Sequence, residues 1–345
     1  MNKLTSLEPT RLWHYFQEIC QIPRPSKKEE KIAAYLISFG KEHGFETVAD
    51  ETGKTPGGHI AYKISCTGLK GGHSGDDINK NLGNAVKILN RFLWNATRDL
   101  ELRISSLDAG NLRNAIAREG FAVVTIPATR KKDIEKYVVE FHTTVSNEIR
   151  TTEPGFLFSA ESCPLPGMII PAGLQQTLLN ALYACPHGVI QMSRDIKDFV
   201  ETSTNLASVK FSDNRILVTT SQRSSVESSK KDASDMVGSL LRLAGFTVEH
   251  SAGYPGWKPD PGSEILRITV ESYRRLFTEE PQVLAIHAGL ECGLIGAIYP
   301  GMDMVSFGPT IKGAHSPDER LHIPSVVKFW DLMVDIMMNI PSVYI

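Results

Sequence analysis

Five short stretches hold residue types that could do chemistry. In "GLKGGHSGDD" (68–77) a single imidazole, His73, stands between a glycine pair and a Ser-Gly step. It reads as a ligand, a catalytic group or the punctuation before a helix. In "SFGPTIKGAHSPDERLHI" (306–323) a strand-like run enters a glycine-bearing loop with His315, Ser316, Asp318, Glu319 and His322. Loops at strand ends of open α/β sheets often carry ligands. His315 there can bind a metal through one ring nitrogen while a nearby carboxylate orients the other. The alternative is a helix start, with Ser316 as N-cap and Pro317 at the first helical position. In "AIHAGLECG" (285–293) His287 and Glu291 flank Gly289, which reads either as a loop lining a pocket or as a satisfied buried pair. Finally, "ETSTNLASV" offers Asn205, both donor and acceptor. "TTSQRSSVES" offers Arg223, the planar clamp suited to a carboxylate. Taken alone, both are ordinary surface polar residues.

Elements able to position these groups can be read from periodicity. Leu12, Phe16 and Ile19 recur at helical spacing after Ser6 and Pro9, and Ile32, Tyr35, Leu36 and Phe39 do so after Ser26, with Gly44 as the stop. "FETVADETG" reads as a strand and turn, and "IAYKISCTG" alternates as a strand. Ile78, Leu82, Val86, Leu89 and Leu93 mark an amphipathic helix directly after the His73 turn. Residues 100–150 and 205–250 share a rhythm of two strands and then a helix, which suggests a duplicated α+β unit. "FTVEHSAGYPGW" reads as a further strand and turn. Beyond residue 261, a helix, short buried strands at "PQVLAIHAG" and "DMVSFGP", and the long closing helix "SVVKFWDLMVDIMMNI" suggest a parallel α/β layer.

Composition narrows the classes. The 345 residues are 41% hydrophobic and 22% charged, with a formal net charge of -2. That suits one large domain or two ordinary ones and gives no basic excess for nucleic acid or anionic lipid. No run is apolar and long enough for a bilayer, and the N-terminus has no signal-type apolar core. The five cysteines are unpaired by spacing and form no CxxC motif. A cytoplasmic protein with reduced thiols is expected.

Taken in order, "GLKGGHSGDDINKNLGNA", "ETSTNLASV", "RSSVES", "GYPGWKPDP", "HAGLECG" and "GPTIKGAHSPDERLHI" closely resemble the aminoacyl-histidine (Xaa-His) dipeptidases, carnosinase-like co-catalytic zinc peptidases. The opening "LWHYFQEICQIPRPSKKEEKI" resembles that family as well, so the likeness runs along essentially the whole chain. It implies a zinc-binding α/β catalytic domain with an inserted α+β lid that carries the dimer contact. It also implies hydrolysis of short peptides by water activated between two zinc ions, which generate a nucleophile at neutral pH and stabilise the oxyanion. By resemblance, His73 is the lid histidine that helps hold the oxyanion. Asn205 and Arg223 grip the dipeptide's backbone and carboxylate, Gly289 and Glu291 belong to a substrate-lining segment, and His315 is the last metal ligand. The glycines beside His73 would let its turn come close to a substrate or another chain, where the imidazole donates to developing negative charge.

The chain departs from that pattern in one place. The family's remaining metal ligands lie between the first strand and the lid, and here Gly53 runs straight into "KTPGGHIAYKI". None of the ten histidines has an acid two residues later, Glu29-Glu30 lies on a charged helix face, and Glu279-Glu280 precedes a proline. One histidine cannot hold two zinc ions, each needing about four ligands. The expected fold is therefore α/β: an incomplete zinc-peptidase catalytic domain in two parts, 1–53 and 253–345, with the lid or dimerisation domain at 58–252. The expected protein is a dipeptidase by descent, with weak zinc binding at most and little hydrolysis, acting as a homodimer through the lid. A non-catalytic dimerising, peptide-binding module is the alternative. Neither a nucleic acid nor a membrane is an expected partner.

Overall fold

Alternation in "HIAYKISCT" builds β1 (His59–Thr67), whose Tyr62, Ile64 and Cys66 are buried while Lys63 is exposed. The computed structural model describes residues 10–23, 30–44, 53–212, 215–251, 253, 255–285, 287, 290–312 and 320–341. The chain divides into two compact units, Met1–Lys54 and Thr55–Ile345.

The first unit holds α1 (Thr10–Gln21) and α2 (Glu30–Glu42). Tyr15 meets Phe39 edge-on with ring centroids 5.0 Å apart, and the Tyr35 hydroxyl donates to Glu18 at 2.7 Å. Gly44 takes a left-handed φ of 72° beyond α2, the stop expected of a glycine there. Ser6, Pro9 and Ser26, along with most of the expected strand in "FETVADETG", lie outside the described residues.

The second unit continues with β2 (Gly72–His73), α3 (Ala85–Asp99), β3 (Arg103–Gly110), β4 (Ala115–Ile116), β5 (Gly120–Pro127), α4 (Lys131–Ile149), β6 (Leu157–Cys163), α5 (Ala172–Ala184) and β7 (Gly188–Met192). Then come β8 (Val200–Ser212), β9 (Arg215–Ser224), α6 (Glu227–Leu243), α7 (Glu264–Phe277), α8 (Glu291–Ile298), β10 (Ile311–Lys312), β11 (Arg320–Leu321) and α9 (Ile323–Asn339). Seven strands form one sheet in the order β6-β1-β5-β3-β8-β7, with β9 on the other side of β8. Inward residues of β1, β3, β5, β6 and β8 share one apolar cluster with α3, α4, α5 and α6. The fold is mixed α/β. The expected rhythm of two strands and a helix occurs twice, as β3, β5, α4 and as β8, β9, α6, with the short β4 inserted in the first.

Four expectations about elements change. The helix after His73 begins at Ala85 rather than Ile78, because the Asn84 side chain accepts the Lys87 N–H at 3.2 Å and caps it there. Residues 246–251 form no strand; Phe246 and Val248 pack on the large apolar cluster as an irregular segment. The runs 281–285 and 302–310 are not strands, and every ladder among the described residues is antiparallel, so no parallel layer forms there. A strand needs a neighbour for its backbone groups, and Val283 and Leu284 find none, at 55% and 83% exposed. The closing helix starts with His322 in the cap position and Pro in its first turn; Ser316 and Pro317 lie outside the described residues. All five cysteines are free thiols, and among the described residues no helix is long and apolar enough to cross a membrane.

Candidate functional site

β2 and β4 form a miniature antiparallel ladder with His73 opposite Ala115. A β-carbon on Gly72 would come within 2.7 Å of the Asp77 carboxylate, so glycine is what lets this turn close. That carboxylate accepts the His73 backbone N–H at 2.7 Å. The His73 imidazole faces Asp76, Nδ1 to carboxylate oxygen, at 3.3 Å. Beneath β4, Asn205 of β8 is 1% exposed and donates from Nδ2 to the carbonyls of Ala115 at 2.8 Å and Arg113 at 3.3 Å. Its Oδ1 is buried with no hydrogen-bond partner. Asn205 thus supports the strand on which His73 leans and keeps one acceptor unused.

Arg223 of β9 donates from Nε to the Ser74 hydroxyl at 3.1 Å, one residue from His73. Its Nη groups make no hydrogen bond to a described residue. The β8–β9 register sets Arg223 opposite Ser203, whose hydroxyl meets Nε2 of the buried His287 at 2.8 Å. His73, Arg223, Asn205 and His287 therefore occupy one neighbourhood. Charge effects agree. The Asp76 carboxyl is held below the usual carboxylate range, first by its hydrogen bond to His73 and then by the charges of His73, Arg223 and His287. Burial lowers the Arg223 guanidinium, with Asp76 opposing, though arginine keeps its charge at any ordinary pH. Burial pushes the His287 imidazole down to about 4, and Arg223 adds to that. His287 is thus a neutral group near neutral pH. The cluster offers a positive guanidinium, an imidazole and an unused amide oxygen, a set suited to holding a small anion with a polar body.

Of the residues singled out by sequence, the structure brings His73, Asn205 and Arg223 together. Glu291 opens α8 and is exposed, apart from the hydrogen bonds that join the cluster and unpaired with His287. Gly289 and His315 lie outside the described residues. Ser74, Asp76 and Ser203 were not picked out. Ser203 precedes Asn205 by two positions on the same strand, so period-two alternation was the available signal. His287 was noticed, but its partner is Ser203, 84 positions away in sequence. No three His, Cys, Asp or Glu side chains among the described residues gather as a metal site. The described cluster does not supply the ligands of a zinc pair, each ion needing about four.

Residues 57–153 match the peptidase dimerisation domain family. Over 287 residues the chain is 40% identical to the cytosol non-specific dipeptidase of Escherichia coli (strain K12), an alignment covering 83% of this chain and 59% of that protein. The crystal structure of the aminoacylhistidine dipeptidase from Vibrio alginolyticus matches with a TM-score of 0.76 at 28% identity, covering 99% of both chains. The chain spans about three-fifths of the length of the curated relative. Residues 57–153 thus belong to the peptidase dimerisation domain family, and in sequence and fold the chain as a whole is similar to dipeptidases.

Proposed function

We propose that the chain is a dipeptidase by descent that binds short peptides through their free carboxylate and has lost most of its hydrolytic power. The observation that carries this reading is the Arg223 guanidinium. It is partly buried and held by one hydrogen bond through Nε, with its Nη pair free of described partners, beside His73 and the unused Asn205 oxygen. A planar fork in that state suits bidentate contact with a carboxylate. Family resemblance makes a dipeptide with C-terminal histidine the first ligand to try, and the dimerisation-domain match at 57–153 supports a homodimer. Two-zinc chemistry belongs to the complete family pattern; in this chain only His315 stands for its ligand set, and each zinc needs about four ligands. The reading deepens into the alternative from the sequence, a dimerising peptide-binding module, if hydrolysis is absent altogether.

Glycyl-histidine binding by titration calorimetry, with hydrolysis assayed in added zinc, tests both halves. Binding is expected without turnover above buffer, and Arg223→Ala should weaken it by about 2 kcal/mol or more, the loss of a charge-assisted bidentate contact. Chelator-sensitive turnover, or two zinc ions per chain by elemental analysis, overturns the loss of hydrolysis. Equal binding by the Arg223 variant overturns the carboxylate clamp.

A further inference from the structure

Glu153 is 2% exposed, and nothing in the binding cluster touches it directly. A buried carboxylate is unfavourable unless its oxygens find donors. Glu153 lies in the turn between α4 and β6, where its own N–H donates to the Ile149 carbonyl at 2.7 Å and its carbonyl accepts from Phe156 at 3.2 Å. The turn therefore fixes its backbone. Its side chain reaches into another part of the chain. Oε2 accepts the backbone N–H of Lys70 at 2.8 Å, and Oε1 accepts the backbone N–H of Gly83 at 2.8 Å.

Lys70 and Gly83 are the two ends of the loop that carries His73, Ser74 and Asp76. One carboxylate thus closes the loop at its neck. The packing there leaves little room for a substitute. A β-carbon on Gly68, whose φ is +74°, would lie 1.9 Å from the Gly155 carbonyl oxygen. A β-carbon on Gly83 would lie 2.7 Å from Leu69 Cδ2 and 3.4 Å from Glu153 Cγ. Beyond the neck, bonds run on to the binding cluster. Asp77 accepts the His73 N–H and returns its own N–H to the His73 carbonyl at 3.0 Å. Ser74 donates its N–H to Asn114 at 2.8 Å and receives Arg223 on its hydroxyl. Displacing the neck would move His73 and the Ser74 anchor of Arg223 together. Both oxygens of Glu153 are taken by backbone donors rather than by a cation, so what this carboxylate fixes is the course of the chain.

We propose that Glu153 is a positioning residue, a two-oxygen staple that holds the 70–83 loop so that His73 and Arg223 present one binding surface. The inference rests on the carboxylate-binding reading above only for its effect on affinity; the staple itself can be read without a ligand. Glu153→Gln changes little volume but turns one acceptor into a donor that faces a backbone N–H. Glu153→Asp keeps the charge and shortens the reach.

The test measures three things on the full chain: glycyl-histidine affinity, amide exchange across residues 70–83 against 120–127, and the NMR ring signals of His73. With E153Q, affinity is expected to fall roughly tenfold to a hundredfold. Exchange should rise within 70–83 and stay level in β5, and the His73 ring signals should shift. E153D is expected to fall between E153Q and the wild type in all three. A general structural role would raise exchange in β5 as well, and that result overturns the proposal. So does an E153Q variant that matches the wild type in loop exchange and His73 signals. If wild-type protein binds no glycyl-histidine, the carboxylate reading fails by itself, and selective exchange in 70–83 still decides the staple. If E153Q does not fold, E153D decides it by the same exchange comparison.

Discussion

Two stretches of the second unit differ sharply in what they bury. Between residues 59 and 248, strands and helices close on one large apolar cluster, with a small satellite of Ile78, Ile116 and Val200. At its centre Phe92 is 0% exposed and meets Tyr137, Phe141 and Phe158 with ring centroids 4.9 to 5.5 Å apart. Between 255 and 341 the fully enclosed apolar group shrinks to Ile268, Leu332 and Ile336. Leu284, Trp330 and Met338 stand 83%, 59% and 81% exposed, and an open groove of about 790 Å³ runs past Trp257, Tyr273, Phe307 and Phe329. The first stretch has sheet and helix layers facing each other, which is the condition for a stable core. In the second, helices stand with much apolar surface exposed among the described residues, and large exposed apolar areas of this kind mark surfaces built to be covered.

The largest test of that contrast is cavity formation. Phe92→Ala should destabilise the first stretch by about 3–5 kcal/mol, whereas Leu332→Ala, at a half-open cluster that can relax, should cost about 2 kcal/mol or less. Urea unfolding followed by hydrogen exchange at β5 and at α9 reads the two stretches separately. If Leu332→Ala unfolds β5 as readily as Phe92→Ala does, the first stretch does not stand on its own core and the comparison breaks.

Acid should strain the two stretches through different histidines. His187 accepts the Leu206 N–H at 3.3 Å and is pushed down from 6.5 to about 4, mainly by burial and then by Lys87. His287, from the second stretch, is also lowered to about 4, by burial and then by Arg223. The unfolded chain takes up these protons near the ordinary value, while the folded chain resists until about 4. Between those limits the unfolded state binds more protons. Stability is therefore fully present above about 6.5 and falls as the pH drops toward 4, by about 1.4 kcal/mol per pH unit for each histidine. Urea midpoints taken from pH 7 to 4.5 should show that slope. His187→Asn, which keeps an acceptor for Leu206, should flatten it for the first stretch. A midpoint for that stretch that is level with pH in the wild type would sink the claim that His187 is buried neutral.

How much of this was legible in the sequence follows the range of the interactions. The alternation of β1 and the two strand-strand-helix rhythms are local patterns, and both were readable. The start of α3 was misplaced because the apolar spacing of Ile78 and Leu82 continues the helix pattern, while the Asn84 cap stops it seven residues later. The expected strands around 283 and 304 had strand composition, but composition cannot supply the neighbour that a ladder needs. At the site, His73, Asn205 and Arg223 were singled out through family motif order, since polar residues at those spacings are ordinary. Ser203 with His287 and Glu153 with Lys70 and Gly83 join positions 84, 83 and 70 apart in sequence, and no local pattern announces such pairs.

The smallest expected effect sharpens the contrast from the other side. Met338 on α9 is 81% exposed, in a row with Val334 and Met337 on a helix whose buried residues are Leu332 and Ile336. Replacing an exposed apolar side chain with a charged one changes folding stability by no more than about 0.5 kcal/mol. Met338→Lys should therefore leave the urea midpoint unchanged. A lysine there would, however, interrupt an apolar face that stands exposed among the described residues, so self-association at high concentration should fall. Sedimentation measured with and without the substitution separates the two effects. A midpoint shift well beyond 0.5 kcal/mol would mean that Met338 is packed in the folded protein, and the second stretch would then be better covered than its exposed surface implies.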